Sequence, residues 1–314
     1  MRAHFSHRRI AALFLVCLLG QGWAGLAQTT QWTTWTVADG LPENEVRTVF
    51  EDSQGRLWFG TRHRGVGLLE DSSWTYFTSQ DGLADNGVLS FAEGPEGQIW
   101  AAGGGGYSVY DGSTWTAHSS MGSLQARVVF SVKRDHRGHF WLAGNGGAAS
   151  YGEGTWRSFT QADGLPHRVV HAALQDRRGD IWFACRSGLA QWSGGEMRVH
   201  HPQDNFGSIL EAASGDLWFG TRGAGTLHWD GSNWIRHQPG PDVRPHLLDS
   251  QGRIWAVSDR SGAYVYDGSQ WRRLGQEDGL ASDTVFDVAE ASDGSLWFAT
   301  AEGVSRYVPG GNEK

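Results

Sequence analysis

Residues 35–61, WTVADGLPENEVRTVFEDSQGRLWFGT, contain the pattern that decides the fold. The apolar-rich run Glu45 to Asp52 is followed by the turn Ser53-Gln54-Gly55 and by a second apolar run that carries Trp58. Glycine readily adopts positive φ, and short apolar runs separated by such turns are typical of strands joined as hairpins. The segment therefore predicts two antiparallel β-strands.

The same pattern of an apolar residue followed by tryptophan recurs along the chain. It occurs at Leu57-Trp58, Ile99-Trp100, Phe140-Trp141, Ile181-Trp182, Leu217-Trp218, Ile254-Trp255 and Leu296-Trp297. The intervals between successive tryptophans are 42, 41, 41, 36, 37 and 42 residues. A period of roughly 40–50 residues is typical of a propeller blade. We predict an all-β, seven-bladed β-propeller with four antiparallel strands per blade and these tryptophans in its core.

The outer strand of each blade has a marker residue of its own. The markers of the first six blades are Trp74, Trp115, Trp156, Met197, Trp234 and Trp271. The last repeat shows none after its third strand, Val304 to Val308, but a matching segment, Gln31 to Val37 with Trp35, precedes the first repeat. We expect this N-terminal strand to complete the seventh blade and to close the ring, because closure removes an open sheet edge.

Composition and motifs narrow the classes of function. The net charge of −8 argues against a nucleic-acid partner, which would require a basic face. The sequence has no Gly-x-Ser-x-Gly element, phosphate loop or Cys/His zinc spacing, and its Asp-Ser-Gln-Gly turns have too few ligands for calcium. We predict no cofactor and no metal site.

The first 27 residues have the pattern of a secretory signal peptide. A basic start is followed by the apolar run Ile10 to Gly20, and Gly25-Leu26-Ala27 supplies the small residues of a cleavage site. The apolar run is shorter than the ~20 residues that span a bilayer. We expect cleavage after Ala27 and one propeller domain over residues 28–314. Export by the Sec or twin-arginine route would place it in the periplasm or the medium, with no membrane-spanning segment.

The repeats resemble those of the two-component regulator propeller family, whose units run as DGLP, an apolar strand, D-x-x-G-x-LW-x-G-T and G-G-L. Further matches lie at Asp81-Gly82-Leu83, Asp163-Gly164-Leu165-Pro166, Asp278-Gly279-Leu280, Leu217–Thr221 and Leu296–Thr300. The resemblance implies a periplasmic ligand-sensing propeller like those of hybrid histidine kinases, some of which sense polysaccharide fragments. No kinase sequence follows the seventh repeat, so the resemblance implies a stand-alone propeller with a possible separate signalling partner.

Propellers usually bind ligands on the face that carries the loops between second and third strands and the loops between blades. The candidate binding residues of these loops are Arg62, His63, Arg64, Tyr107, His167, His171, Arg186, Asp204, Arg222, Arg244, His246 and Arg260, with Arg47 and Arg168 beside them. Their cationic character favours an acidic ligand, such as an acidic glycan or an acidic protein loop. His167 and His171 lie roughly 13 Å apart in an extended strand, too far to share a metal.

Three interpretations of the function stay open at this point. The leading one is a binding module that recognises a small ligand, a glycan or a partner protein on the loop face. The second is a lyase or hydrolase with its site at the channel mouth, which a convergence of histidine and glutamate there would favour. The third is a structural scaffold, which a flat loop face without a pocket would favour.

The signal peptide can be tested by the mass of the exported protein. Expression with the native N-terminus in a secreting bacterium is expected to give a periplasmic or extracellular chain whose intact mass corresponds to residues 28–314. Ala27→Trp places a bulky residue where the peptidase requires a small one, so the precursor should accumulate. An exported wild-type protein that retains residues 1–27 would contradict the prediction.

Overall fold

The computed structural model describes residues 31–125, 127–240 and 242–309. In these ranges the chain forms seven four-stranded antiparallel sheets and one short hairpin. The innermost strand of every sheet lines one central cavity. The predicted seven-bladed β-propeller is therefore confirmed, whereas the proposed signal peptide lies outside the described residues.

The strands up to the end of the third blade, including a hairpin inserted before that blade, are β1 (Gln31–Trp35), β2 (Val46–Glu51), β3 (Leu57–Thr61), β4 (Val66–Glu70), β5 (Ser73–Phe77), β6 (Val88–Glu93), β7 (Ile99–Gly103), β8 (Gly106–Tyr110), β9 (Trp115–His118), β10 (Ser120–Met121), β11 (Leu124–Gln125), β12 (Val129–Arg134), β13 (Phe140–Gly144), β14 (Gly147–Gly152) and β15 (Thr155–Phe159). The remaining strands are β16 (Val170–Gln175), β17 (Ile181–Cys185), β18 (Leu189–Ser193), β19 (Glu196–His200), β20 (Phe206–Glu211), β21 (Leu217–Thr221), β22 (Thr226–Trp229), β23 (Trp234–His237), β24 (Arg244–Leu248), β25 (Ile254–Val257), β26 (Ala263–Tyr266), β27 (Trp271–Leu274), β28 (Val285–Glu290), β29 (Leu296–Thr300) and β30 (Gly303–Val308). Four one-turn 3₁₀ helices precede blades one, two, four and seven: Val37–Asp39, Ser79–Asp81, Gln161–Asp163 and Gln276–Asp278.

The two ends of the propeller differ in their connections. The loop face carries the connections between second and third strands and between blades. The turn face carries the tight turns between first and second strands and between third and fourth strands. Each inner strand runs from the loop face to the turn face along the channel.

An aspartate six residues before the repeat tryptophan explains the D-x-x-G-x-L-W pattern. Asp52 Oδ1 accepts hydrogen bonds from the backbone N–H groups of Gln54 and Arg56, both at 3.0 Å, and its Oδ2 accepts from the Trp58 indole at 2.7 Å. The same indole bond joins Asp135 to Trp141, Asp176 to Trp182 and Asp249 to Trp255. One carboxylate therefore shapes the turn and also satisfies the polar atom of a core residue. All seven repeat tryptophans are buried, with at most 7% of their surface exposed.

Glutamates at the ends of inner strands join neighbouring blades on the turn face. Glu93 of blade two accepts from the backbone N–H of Ser53 in blade one at 2.9 Å. Three other glutamates accept equivalent bonds from backbone N–H groups of the preceding blade: Glu211 from Arg177, Glu290 from Ser250 and Glu51 from Ser292. The last of these crosses from blade one to blade seven, so the pattern continues through the closing seam.

The N-terminal strand closes the ring as predicted. β1 pairs antiparallel with β30, from Gln31 opposite Val308 to Trp35 opposite Val304. Trp32, opposite Tyr307, occupies the position of the outer-strand marker Trp74, which lies opposite Leu69. Trp35, which the sequence analysis took as the marker, instead occupies the position in blade seven that Phe77 occupies in blade one. The strand ends before Val37 because Thr36 caps the first 3₁₀ turn.

Removing one of the motif aspartates should destabilise the whole domain. Asp176→Ala leaves the buried Trp182 indole and two backbone N–H groups without their acceptor. An unsatisfied buried donor costs about 1–3 kcal/mol, which corresponds to a fall in Tm of roughly 2–8 °C. Calorimetry of the variant beside Glu96→Ala, which alters an exposed turn carboxylate, measures the difference. Equal Tm values for the two variants would contradict the assigned role.

Candidate functional site

The central channel contains a cavity of about 360 Å³, walled by the inner strands of all seven blades. Its loop-face end is surrounded by the first residues of these strands, among them Arg47, Phe130, His171 and Phe286. Its other end includes Glu51 and Glu290. The candidate site is the loop-face mouth of this channel, because cationic loop residues and the cavity meet there.

The acidic residues of the DGL loops are already bound within those loops. Asp81 Oδ2 accepts from the backbone N–H and the hydroxyl of Thr78, at 2.8 and 2.9 Å. Gly82 has φ 104°, and a side chain there would collide with the carbonyl of Trp115, while Leu83 is buried. Asp39 and Asp163 form equivalent caps, and Asp278 accepts from the backbone N–H of Gly275. These carboxylates therefore shape the loops.

Two arginines from neighbouring blades share one carboxylate at the mouth. Arg244 binds Asp259 through both terminal nitrogens, at 2.6 and 3.1 Å, and Arg222 Nη1 lies 3.7 Å from the same carboxylate. The Arg244 side chain is only 6% exposed, whereas that of Arg222 is 45% exposed. Although burial opposes ionisation, the two guanidinium groups hold the pKa of Asp259 below its usual value. Arg222 can therefore turn toward a ligand while Arg244 stays fixed.

Arg47 adds a third guanidinium group from blade one. It lies 3.0 Å from Glu45 and stacks on the ring of Phe286, 4.1 Å from the ring centroid. Its Nε atom is buried without a hydrogen-bond partner among the described residues. Burial lowers the pKa of Arg47. The mouth therefore carries a guanidinium group that pairs with a carboxylate but whose Nε–H has no acceptor among the described residues.

His171 is a neutral component of the mouth at physiological pH. Its Nδ1 lies 2.7 Å from the carbonyl oxygen of Phe206, an acceptor, so this nitrogen carries the proton. Burial, together with the charges of Arg222, Arg186 and His167, lowers the pKa of His171 to about 4, although the hydrogen bond to Phe206 opposes this shift. The imidazole can act as a hydrogen-bonding group without adding charge.

Other candidate residues on the loop face are paired with carboxylates. Arg62 binds Glu45, which also pairs with Arg47, at 3.0 Å, and His63 binds Glu43 at 3.1 Å. Asp204 binds Arg236 at 2.8 Å.

The remaining loop-face candidates have different surroundings. His167 accepts the Val169 N–H through its own Nδ1 at 2.9 Å. The remaining arginines named in the sequence analysis are all exposed: Arg64, Arg168, Arg186 and Arg260. The structure thus groups Arg47, Arg222, Arg244 and His171 at the mouth, with Arg186 and His167 within electrostatic reach.

Tyr107, also predicted as a ligand-binding residue, is buried in the core and is not exposed on the loop face. Tyr107 is 4% exposed and stacks in parallel on Trp100, with the ring centroids 5.1 Å apart. Its other face stacks on His118 at 4.7 Å, and burial raises the pKa of the phenol to about 12. The loop consists of Gly104 and Gly105 alone, so Tyr107 already belongs to β8 and packs between blades.

Sequence reasoning predicted His246, which lines the channel, but missed the charged groups Asp287 and Lys133 that line it too. Asp287 accepts from the Thr48 hydroxyl at 2.7 Å and from the Val288 N–H at 2.9 Å, and lies 3.2 Å from His246 Nδ1. Lys133 Nζ donates to the Ile209 carbonyl at 3.3 Å. The available signal was a charged residue within the otherwise apolar inner strands VFSVKR and VFDVAE. Asp259, the carboxylate between the arginines, was also missed.

Within residues 31–125, 127–240 and 242–309, no three His, Cys, Asp or Glu side chains are arranged to hold a metal ion. No helix in those ranges is long and apolar enough to cross a membrane.

Three segments match the two component regulator propeller family: residues 40–63, 164–187 and 279–302. Each runs from the glycine of a DGL loop through the inner strand and the tryptophan strand. The chain carries two component regulator propeller repeats. No curated protein matches the sequence.

Solved structures that resemble these propeller repeats include proteins of different activity. The extracellular domain of the putative hybrid two component system BT3049 from B. thetaiotaomicron is 19% identical, with a TM-score of 0.76 over 89% of this chain and 41% of that chain. PorZ, a surface component of the type-IX secretion system of Porphyromonas gingivalis, is 17% identical, with a TM-score of 0.67 over 86% of this chain and 47% of that chain. Virginiamycin B lyase from Staphylococcus aureus is 12% identical, with a TM-score of 0.66 over 90% of this chain and 99% of that chain. At these identities the likeness shows the fold, and this chain spans about two-fifths of the first structure.

The neutral His171 predicts a loss of stability in acid. Its folded pKa of about 4 lies below the unfolded value of 6.5, so the unfolded chain binds more protons between these values. The contribution of His171 is thus complete above pH 6.5 and is lost as the pH falls toward 4, by about 1–3 kcal/mol. Thermal unfolding of His171→Gln at pH 7.5 and 4.5 should show a smaller acid-induced fall in Tm than wild type. The exposed-histidine control His136→Gln should keep the wild-type fall, and an unchanged fall in His171→Gln would contradict the prediction.

Proposed function

We propose that this propeller is an exported binding module that recognises an acidic ligand at the loop-face mouth of its channel. The observation that carries the proposal is the pair Arg222 and Arg244 on the single carboxylate of Asp259, beside a partly satisfied Arg47. Guanidinium groups bind carboxylates through two parallel hydrogen bonds, so this cluster suits an anionic group better than a neutral one.

The charge distribution supports the same proposal. The chain as a whole carries a net charge of −8, yet arginines are concentrated around the entrance of a narrow cavity. These arginines meet carboxylates at the entrance, Glu45 and Asp259, so the support comes from the geometry of the guanidinium groups rather than from a single sign of charge. An acidic group of a ligand would compete with Asp259 for the exposed Arg222.

The similarity to extracellular domains of putative hybrid two component systems supports a sensory role. In this proposal the propeller works in the periplasm or outside the cell, and a separate signalling protein responds to the bound ligand. We favour an acidic glycan because its repeated carboxylates can engage the exposed arginines around the rim as well as the mouth.

The proposal is tested by the binding of acidic oligosaccharides to the exported chain. Isothermal titration with trigalacturonate, compared with the neutral maltotriose, should show binding of the acid only. Arg222→Gln should weaken that binding at least tenfold, because it removes the exposed guanidinium of the mouth while Arg244 still binds Asp259.

The matched control is Arg198→Gln, which alters an exposed arginine on the outer strand β19. It should bind trigalacturonate as wild type does. Failure of the wild-type protein to bind, or equal weakening by both substitutions, would contradict an acidic-glycan site at the mouth.

A further inference from the structure

Each of the seven inner strands has one β-bulge, and every bulged residue lines the central cavity. Bulges are common at the rims of barrels and beside active sites, where they redirect a side chain. In six blades the bulge is the second residue of the strand, at the loop-face mouth, whereas in blade six it is the third. The bulged residues, in blade order, are Arg47, Leu89, Phe130, His171, Gly207, His246 and Phe286.

Phe130 gives the mouth an aromatic surface. The ring is half-buried and lines the cavity, and its one ring contact among the described residues is with His171, at a centroid distance of 5.3 Å. Leu89, the bulged residue of the neighbouring blade two, is also half-buried. Phe286 is different because the Arg47 guanidinium already stacks on it, 4.1 Å from the ring centroid. The apolar side of the mouth therefore lies at blades two and three.

His171 places a hydrogen-bond acceptor beside this aromatic ring. Its Nδ1 carries the proton and donates to the carbonyl of Phe206, so its Nε2 has a lone pair. This Nε2 makes no hydrogen bond to any described residue, although the imidazole lines the cavity. The complementary partner for such a nitrogen is a hydroxyl group of a ligand that lies against Phe130.

Gly207 connects this arc to the exposed guanidinium group of the mouth. It follows Phe206, the acceptor for His171, in the next blade. A Cβ atom at Gly207 would lie 2.8 Å from Cδ of Arg244 and 3.6 Å from Nε of Arg222, so both arginine side chains pass close to this residue. An aromatic ring, an unpaired acceptor and an exposed guanidinium group therefore follow one another across blades three, four and five.

The charges in the cavity decide which end of an acidic ligand enters. The lining includes the three carboxylates of Glu51, Asp287 and Glu290 against the two cations of Arg47 and Lys133. Like charges repel, so an acidic group is better placed outside this lining, whereas a neutral ring suits the interior. Arg222, which is 45% exposed, offers that acidic group a partner at the rim.

We propose that the mouth binds a uronate residue with its neutral ring inward: the C–H face of the sugar packs on Phe130, a hydroxyl donates to Nε2 of His171, and the carboxylate stays at the rim on Arg222. The cavity of about 360 Å³ is at the lower end of small-molecule sites, roughly 300–1,000 Å³, and suits one six-membered ring. This inference rests on the proposed function, since it fixes the orientation of an acidic glycan at that site.

The experiment uses the full exported chain and compares three probes at pH 7.5. D-galacturonate carries all the recognised groups, D-galactose lacks the carboxylate, and cyclohexanecarboxylate lacks the hydroxyls. Titration calorimetry should give D-galacturonate an affinity at least tenfold higher than that of either other probe. Each of those two leaves one polar group of the mouth without its partner, and such a site rejects the deficient analogue.

Two substitutions separate the roles of the phenyl ring and the imidazole. Phe130→Leu removes the aromatic face but keeps an apolar side chain, which blade two already has there in Leu89, so D-galacturonate affinity should fall about three- to tenfold. His171→Phe removes the acceptor, and Phe130 and Phe286 show that phenylalanine fits this position. It should lower D-galacturonate affinity about tenfold yet leave cyclohexanecarboxylate affinity unchanged. A structural defect would weaken the binding of both probes.

Phe77→Leu is the matched control, because it makes the same replacement on the outer strand of blade one, where blade six has Leu274 at the equivalent position. It should bind D-galacturonate as wild type does. Wild-type affinity in Phe130→Leu, unchanged selectivity in His171→Phe, or no binding of D-galacturonate by the wild-type chain would overturn the proposed orientation. In each of these cases, trigalacturonate binding that Arg222→Gln weakens would still support the proposed function, so the two proposals fail separately.

Discussion

The pairing of β1 with β30 is the interaction on which the rest of the structure depends. Each blade packs mainly against its two neighbours, so an open row of seven blades would leave the faces of its two end blades uncovered and would enclose no channel. The five paired positions of this seam bring blade seven against blade one. Thr48 then reaches Asp287, and Glu51 reaches Ser292, across more than two hundred residues of sequence. The cavity and its charged groups therefore exist only in the closed ring.

The fold was predictable because its main signal is local. Asp52 and Trp58 are six residues apart and bind each other, so the pattern repeats wherever a blade begins. The closing strand was also predictable, but its register was not. Trp32 and Trp35 both lie in β1, and the sequence analysis took Trp35 as the marker of this strand. Pairing with β30 selects Trp32 as the counterpart of Trp74, since this register places it against Tyr307 in the core of blade seven.

The candidate site was predictable only at the level of the loops. Arg186 and Arg222 lie on the expected face because each blade bonds these loops in the same way, through their N–H groups to Val169 and Asn205. The grouping of Arg222 with Arg244 around Asp259 depends on contacts between blades, which a single repeat does not encode. Tyr107 was misplaced because a run of four glycines hid the start of its strand.

The register of the seam has a further consequence for the geometry of the chain. Gln31 and Val308 lie directly opposite each other at the turn face, while the arginine-lined mouth opens on the loop face. A tether attached at either residue would therefore meet the propeller on its turn face, opposite the mouth. Immobilisation through either end would leave access to the mouth free, and a short peptide joining the two ends would convert the propeller into a cyclic chain without crossing the cavity.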